Sequence, residues 1–309
     1  MTTIASRLQA VKTRIAGAAR AVGRAPGEIT LVAVSKTFPA EAVAEACAAG
    51  QYAFGENYAQ EAVGKIARLA GLFERDHDSA PPRVIWHAAL PNQDDEKAPG
   101  DVRPSAGVRQ RDADGAFRQA VELARKSTSS VARIETPRSG ARSPEGPLLR
   151  PLEWHYIGPI QSNKTRLIAE HFDWVHGIDR AKIAERLSAS RPEEKPPLQV
   201  CIQVNVSGEA SKSGVAPEEV FGLAQTIMRL PRLRLQGLMA IPEPTPDSGL
   251  QRSRFRMLRE IRDQLSLRGV ALNTLSMGMS DDLEAAIAEG STMVRVGRAI
   301  FGERDTGAA

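Results

Sequence analysis

The chain has 309 residues, of which 42% are hydrophobic and 25% charged, an ordinary balance for a folded globular protein. The net charge of +4 is spread along the chain and aromatic residues make up only 5%, which counts against a nucleic-acid interface. No apolar run approaches the roughly 20 residues that a membrane helix needs, so we predict no membrane span. Two cysteines without a disulfide framework indicate a reducing compartment, and we expect a cytoplasmic protein.

The chain begins with an arginine-rich amphipathic segment, which we interpret as a surface helix rather than a transit peptide. From residue 28 onward, short β-rich runs alternate with helical stretches. The predicted strands are Ile29–Ser35, Tyr52–Phe54, His155–Ile157, Trp174–Val175, Leu198–Val206, Leu235–Ala240, Thr274–Ser276 and Met293–Val296. The predicted helices are Pro39–Ala49, Tyr58–Leu69, Lys164–His171, Arg180–Ser190, Pro217–Met228, Gln251–Leu267 and Asp281–Glu289.

Eight apolar strands that alternate with helices predict an α/β fold with a parallel sheet covered by helices. Eight repeats in about 230 residues fit a closed (β/α)₈ TIM-type barrel better than an open doubly wound sheet. The glycine pattern of a dinucleotide site does not follow the first strand. We therefore predict a single barrel domain.

Residues 75–150 interrupt this rhythm. They contain eight of the 20 prolines, 13 basic and 11 acidic residues, and little apolar periodicity. Such a composition buries too little apolar surface to offset the entropy of ordering, so we predict a long disordered insertion. The insertion lies between the second predicted helix, Tyr58–Leu69, and the third predicted strand, His155–Ile157. The predicted barrel therefore comes in two parts, residues 1–74 and 151–309.

Lys36 directly follows the first predicted strand, so its amine is expected at the mouth of the barrel. Low-dielectric walls would destabilise the ammonium and leave a nucleophilic amine, as condensation with an aldehyde requires. On this residue alone, a surface lysine that begins a loop is the simpler interpretation.

The ends of the seventh and eighth strands carry small residues, within Ser276–Ser280 and Val294–Arg298. In barrels of this type the loops after these two strands frequently bind phosphate, so together they predict a phosphate cup. We expect Ser280 to cap the helix that follows.

Other polar residues leave alternatives open. Asn57 is placed either to bind a ligand or to cap a helix, and Lys164 is either a second amine at the mouth or a helix-start lysine. The loop 211–214 has anion-binding character. His77 and His87 have no cysteine neighbours, so we predict no metal site. We also predict no Ser–His–Asp arrangement and no catalytic carboxylate pair.

Six motifs then make the chain recognisable: AVSK (33–36), FGENYAQEA (54–62), EWHYIGPIQSNK (153–164), GLMAIP (237–242), SMGMSDDLEAAI (276–287) and STMVRVGRAIFG (291–302). In this order they resemble the pyridoxal phosphate homeostasis protein family, which is itself similar to the barrel domain of alanine racemase. The resemblance extends over residues 5–74 and 151–304.

The resemblance implies that Lys36 carries pyridoxal 5′-phosphate as a Schiff base. It implies a phosphate site formed by Ser276, Met277, Gly278, Ser280, Val296 and Gly297. Arg295 would lie near the pyridine nitrogen, Asn57 and His155 would line the pocket, and Lys164 would take part in cofactor exchange. Arg298 stands where many relatives have threonine, so a guanidinium would replace one hydroxyl contact to the phosphate.

The function that this resemblance implies is to hold pyridoxal 5′-phosphate and supply it to apoenzymes, without substrate turnover, in a monomer. Alanine racemase needs a second base, a tyrosine from a C-terminal β domain that we do not find after the eighth-strand motif. The alternative is an amino-acid racemase or lyase with Lys36 as base and Lys164 or His155 as second proton donor. A third hypothesis is an interaction protein that docks a partner through residues 75–150.

Overall fold

The computed structural model describes residues 3–75, 151–208 and 213–303. Eight parallel strands in these ranges form a closed barrel, in the order β1 to β8 around the ring. They are β1 Thr30–Val34, β2 Ala53–Glu56, β3 Glu153–Tyr156, β4 Trp174–Ile178, β5 Leu198–Gln203, β6 Leu233–Met239, β7 Thr274–Ser276 and β8 Met293–Val296. The predicted (β/α)₈ barrel is confirmed.

Two predictions lie outside the described residues. The first is most of the insertion, residues 76–150, including His77 and His87. The second is the start of the polar loop, because residues 209–212 are also outside. The described residues on the two sides of the range 76–150 meet where β2 pairs with β3.

Helices cover the outside of the barrel. They are α1 Ile4–Ala21, α2 Ala40–Ala48, α3 Ala59–Arg75, α4 Thr165–His171, α5 Ala181–Ser190, α6 Val220–Met228, α7 Ser248–Leu267, α8 Leu283–Ala288 and α9 Arg298–Phe301. None of these helices is long and apolar enough to cross a membrane.

Several predicted boundaries are wrong by a few residues. β5 ends at Gln203 rather than Val206, because Val204 pairs instead with Val215 in an isolated bridge after the chain has turned. β6 begins at Leu233, two residues before the predicted start, and its first half is only partly buried. Polar residues alternate with leucines at the start of this strand (LRLQ), so a search for apolar runs misses it.

The N-terminal helix confirms the surface-helix interpretation. Its buried residues Ile4, Leu8, Val11 and Ile15 recur every three or four positions and face the barrel. Burial of each large apolar side chain contributes about 1.5–3 kcal/mol. Arg7 donates from Nε to the Ile300 carbonyl over 2.7 Å, which fastens this helix to the last one.

The barrel interior is separate from the larger core between sheet and helices. An inner apolar cluster is formed by Val32, Ala53, Trp174, Cys201, Met239 and Met293. Side chains on one face of a strand recur every second residue, and two residues beyond members of this cluster come His176, Gln203 and Arg295. The interior is therefore apolar in the middle and polar toward the C-terminal ends of the strands, where sites of this fold are built.

Candidate functional site

Lys36 stands at the C-terminal end of β1 and follows the alternation that faces the interior. Val32 and Val34 precede it at two-residue intervals, and Val32 belongs to the inner cluster. Lys36 is half-buried in a turn that closes when the Phe38 N–H donates to the Ser35 carbonyl over 3.1 Å. This position places Lys36 at the end of the barrel where sites of this fold are built.

Asn57 follows β2 in the same way. Val34 pairs with Gly55 across the two strands, so Lys36 and Asn57 come two residues later on neighbouring strands. Asn57 Oδ1 is buried and accepts no hydrogen bond from the described chain, so its side chain does not cap α3. A buried acceptor without a donor costs about 1–3 kcal/mol, which favours the ligand-binding alternative.

Two glycines at the ends of β7 and β8 allow the backbone to pack closely against neighbouring atoms of the protein. Gly278 has φ +98°, and a Cβ there would lie 2.7 Å from the Ala286 Cβ; one on Gly297 would lie 3.1 Å from the Val34 carbonyl. Arg295 ties the two ends together through its N–H, which donates to the Gly278 carbonyl over 2.9 Å. The hydrogen bonds of the described chain include none donated by the N–H groups of Gly278 or Gly297. Backbone N–H groups that have no acceptor within the described chain suit a phosphate.

A chain of buried hydrogen bonds crosses the barrel interior. His155 Nδ1 lies 3.0 Å from His176 Nε2, and His176 Nδ1 lies 2.8 Å from Ser276 Oγ. Arg295 donates from Nη1 to Ser276 Oγ over 2.5 Å and from Nη2 to the Ala240 carbonyl over 2.9 Å. Because β4 and β7 are not neighbours in the ring, the contact between His176 and Ser276 spans the interior.

Arg295 is a buried cation, with only 3% of the residue exposed. Burial lowers the pKa of its guanidinium to about 10, although Asp282 acts in the opposite direction. Its two acceptors, Ser276 and Ala240, are neutral, and within the described ranges no carboxylate forms an ion pair with it. Burying a charge in this way is costly, and such groups concentrate at functional sites.

Comparison with known proteins identifies the barrel. Residues 7–305 match the family described as alanine racemase, N-terminal domain. This chain belongs to that family. It is 47% identical to the Pyridoxal phosphate homeostasis protein of Pseudomonas aeruginosa, over 100% of this chain and 99% of the relative. It is 44% identical to the protein of the same name from Vibrio cholerae, over 99% of this chain and 98% of the relative.

A solved structure supports the same relationship. PipY of Synechococcus elongatus, with PLP bound, is 27% identical to this chain and superimposes with a TM-score of 0.64. The match covers 97% of this chain and 100% of PipY. The family resemblance predicted from the six motifs is therefore confirmed.

Not every predicted site residue is placed as we expected from the sequence. Ser280 does not cap α8; the helix begins at Leu283, and the preceding Asp282 accepts the Met279 N–H over 2.6 Å. That prediction was wrong because the helix begins later than expected, so that Asp282 rather than Ser280 holds the N-cap position, and no side chain caps the helix there. Arg298 is exposed and pairs with Asp281, so its contact to a phosphate stays a prediction.

The remaining predicted residues have clear positions. Met277 and Val296 are buried in the core between sheet and helices, so their side chains face away from the interior. The Met277 N–H already donates to the Met293 carbonyl. Lys164 ends a single 3₁₀ turn, Ser162–Lys164, after β3 and is half-buried, consistent with a lysine at the start of a helix. Its role in cofactor exchange stays a prediction.

Sequence reasoning missed His176, the central member of the buried chain. It lies two residues after Trp174 on β4, so its side chain faces the barrel interior as that of Trp174 does. That spacing was the available signal, but the strand had been predicted to end at Val175. Ending the strand early hid the inward-facing histidine.

We expect the replacement of His176 by glutamine to change how stability depends on pH. Burial, with His155 and Arg295 nearby, holds the pKa of His176 well below its ordinary value. As pH falls below about 6.5, the unfolded chain takes up a proton that the folded chain refuses, so folded stability declines by up to about 1.4 kcal/mol per pH unit. The variant should lack this contribution, as measured by urea unfolding between about pH 5 and about pH 7.5.

His171→Gln is the matched control, because His171 lies on α4 outside the barrel interior and contacts the Leu167 carbonyl. An acid slope in His176→Gln equal to that of the wild-type protein would contradict the prediction.

Proposed function

We propose that this protein binds pyridoxal 5′-phosphate covalently through Lys36 and holds and supplies it, without turning over a substrate of its own. The observation that carries the proposal is the meeting of four strand ends in a barrel of this family. Lys36, Asn57, Gly278 and Gly297 follow the neighbouring strands β1, β2, β7 and β8, and β8 pairs with β1 to close the ring.

The residues at these strand ends suit the chemistry of the cofactor. The aldehyde of the cofactor condenses with an amine and releases one water molecule. Lys36 supplies the amine, the open N–H groups of Gly278 and Gly297 suit the phosphate, and Asn57 Oδ1 suits a donor on the bound molecule. The names of the relatives from Pseudomonas aeruginosa and Vibrio cholerae and the PLP bound to PipY support the same assignment.

Arg295 has the role of a fixed cation beside the ring in this proposal. A guanidinium held by Ser276 and Ala240 has no acceptor for the N–H of a protonated ring nitrogen, and its charge disfavours protonation there. An unprotonated ring is a poorer electron sink for carbanion chemistry. This property slows carbanion chemistry on amino acids and so favours the holding role.

The positions of two tyrosines also argue against a racemase. The hydroxyl of Tyr156 donates a hydrogen bond to the Pro159 carbonyl, and burial raises the pKa of the phenol to about 12. Tyr52 packs against the inner apolar cluster. Neither is poised as a second base at the mouth, which leaves Tyr58, more than half exposed, as the tyrosine to replace if turnover is found.

The wider setting belongs to the same proposal. We infer that the protein acts as a cytoplasmic monomer, that apoenzymes dependent on pyridoxal 5′-phosphate receive the cofactor from it, and that Lys164 assists the exchange. We also propose that residues 75–150 are an insertion that the barrel does not need for cofactor binding.

The test is to add pyridoxal 5′-phosphate to the purified full chain, reduce with borohydride and map the modified peptide. We expect one equivalent on Lys36 and, before reduction, an absorbance band at about 420 nm. L- and D-amino acids are then added, and racemisation and cleavage are followed by chiral chromatography. Modification elsewhere, or none, would overturn the site, and steady turnover of any amino acid would replace the holding role by an enzymatic one.

A further inference from the structure

A buried charged cluster lies behind Lys36, between the ends of β1 and β2 and the helix α3. Lys65 Nζ donates to Glu56 Oε1 over 2.5 Å, to the Ser35 carbonyl over 2.7 Å and to Glu61 Oε1 over 3.1 Å. Ser35 Oγ donates to the same Glu56 oxygen over 2.7 Å. The Lys65 and Glu56 side chains are 4% and 0% exposed. All three protons of the ammonium therefore have acceptors.

The cluster grips the backbone on both sides of Lys36. Lys65 holds the carbonyl of Ser35, immediately before it, and Glu61 Oε1 accepts the N–H of Thr37, immediately after it, over 2.7 Å. The same Ser35 carbonyl also accepts the Phe38 N–H that closes the turn. Both ends of the short segment that carries Lys36 are thus tied to one helix.

The held turn is strained. Thr37 has φ +67° and is the one non-glycine residue with a positive φ in the described part of the chain. A β-branched residue in this conformation costs of order 1–3 kcal/mol and persists only where its surroundings impose it. Thr37 is the third residue of the turn, where glycine or asparagine is the usual choice for a positive φ.

The cluster is also an expensive way to attach a helix to a sheet. Burial raises the pKa of Glu56 even though Lys65 and Ser35 act in the opposite direction, and Glu56 Oε2 has no hydrogen-bond partner in the described chain. Buried ion pairs seldom stabilise a fold more than apolar residues of the same volume would. The contacts of this cluster to the backbone, at Ser35 and Thr37, lie on the two sides of Lys36.

We propose that Lys65 is a positioning residue for Lys36, and that with Glu61 it holds the strained turn so that the Lys36 amine faces the aldehyde of the bound cofactor. This inference rests on the proposed function. It predicts a defect in covalent capture rather than in recognition of the ring and phosphate. Loss of alignment between reacting atoms typically lowers a rate on the order of 10–100-fold.

The experiment compares two ligands in the full chain with Lys65→Met. Capture of pyridoxal 5′-phosphate is followed by absorbance, and its site by borohydride reduction and peptide mapping. Pyridoxine 5′-phosphate, which has the ring and phosphate but no aldehyde, reports on the pocket alone. We expect the rate of capture on Lys36 to fall at least about tenfold, while the Kd for pyridoxine 5′-phosphate stays within about twofold of the wild-type value.

Lys195→Met is the matched control. Lys195 lies in the loop before β5, at the opposite end of the barrel, and donates to the Glu170 carbonyl of α4. It should capture the cofactor at the wild-type rate. If Lys65→Met does not fold, Glu61→Ala decides instead, because Glu61 is 35% exposed and its loss buries no new charge. We expect slower capture in Glu61→Ala and recovery in Glu61→Gln, which keeps an acceptor oxygen for the Thr37 N–H.

Capture by Lys65→Met at the wild-type rate would overturn the inference, as would a parallel loss of affinity for pyridoxine 5′-phosphate. Equal capture by Glu61→Ala and wild type would overturn it where Lys65→Met is unfolded. Failure of the wild-type protein to capture the cofactor on Lys36 would instead overturn the proposed function, and this inference with it.

Discussion

Replacing Lys36 by alanine will abolish the absorbance band at about 420 nm and weaken the binding of pyridoxal 5′-phosphate on the order of 100-fold, about 2.7 kcal/mol. The loss is large because the variant keeps only the non-covalent contacts of the ring and phosphate. The folded state should be unaffected, since Lys36 is half-buried and lies outside the apolar core. Spectral titration and thermal unfolding of the same samples measure the two quantities.

Lys164→Ala is the control for this prediction, because Lys164 is also half-buried and follows a strand of the barrel. It should keep the band and the borohydride-trapped peptide of the wild-type protein, with an effect confined to the rate at which the cofactor leaves. A band that survives in Lys36→Ala and disappears in Lys164→Ala would reverse the roles of the two lysines.

Replacing Arg295 by methionine will separate function from stability. We expect affinity for pyridoxal 5′-phosphate to fall at least about tenfold and the absorbance maximum to move, because the ring nitrogen loses its neighbouring cation. The free energy of unfolding without the cofactor should change by less than about 1 kcal/mol. Two hydrogen bonds to Ser276 and Ala240 are lost, but the cost of burying a guanidinium disappears with them.

Arg191→Met provides the matched comparison. Arg191 is also buried, at 4% exposed, and it donates to the carbonyls of Ala169, Phe172 and Pro196 near the start of β5, away from the cofactor end of the strands. Its loss should leave both the affinity for the cofactor and the spectrum of the bound cofactor unchanged. If Arg295→Met binds the cofactor with wild-type affinity and spectrum, Arg295 has no part in the site.

The eight repeats were predictable because the signals for strand and helix are local. Thr274–Ser276 and Met293–Val296 were predicted with their observed bounds, and both are short buried runs between a turn and a helix. The predicted strand bounds were wrong where the strand is only partly buried, as in β6, or irregular, as in β4. β4 continues beyond Val175 through a shift in register with β5, and no local pattern announces such a bulge.

The site divides along the same line. Lys36, Ser276 and Arg295 could be proposed as site residues from the sequence, because each lies beside a strand and in a motif that resembles the family. The partners that position them were not. His176 meets Ser276 across 100 residues of sequence, and Lys65 reaches Ser35 from a helix on the outside of the sheet.

By itself, the sequence determined the repeating order of strands and helices, which follows from the apolar period. The lysine proposed to hold the cofactor came instead from the motifs that resemble a known family. Only the tertiary structure decided that Asn57 caps no helix, that Arg295 is a buried cation with neutral partners, and that a strained turn holds Lys36. Those features depend on strand register and barrel closure, which bring together groups that are remote along the chain.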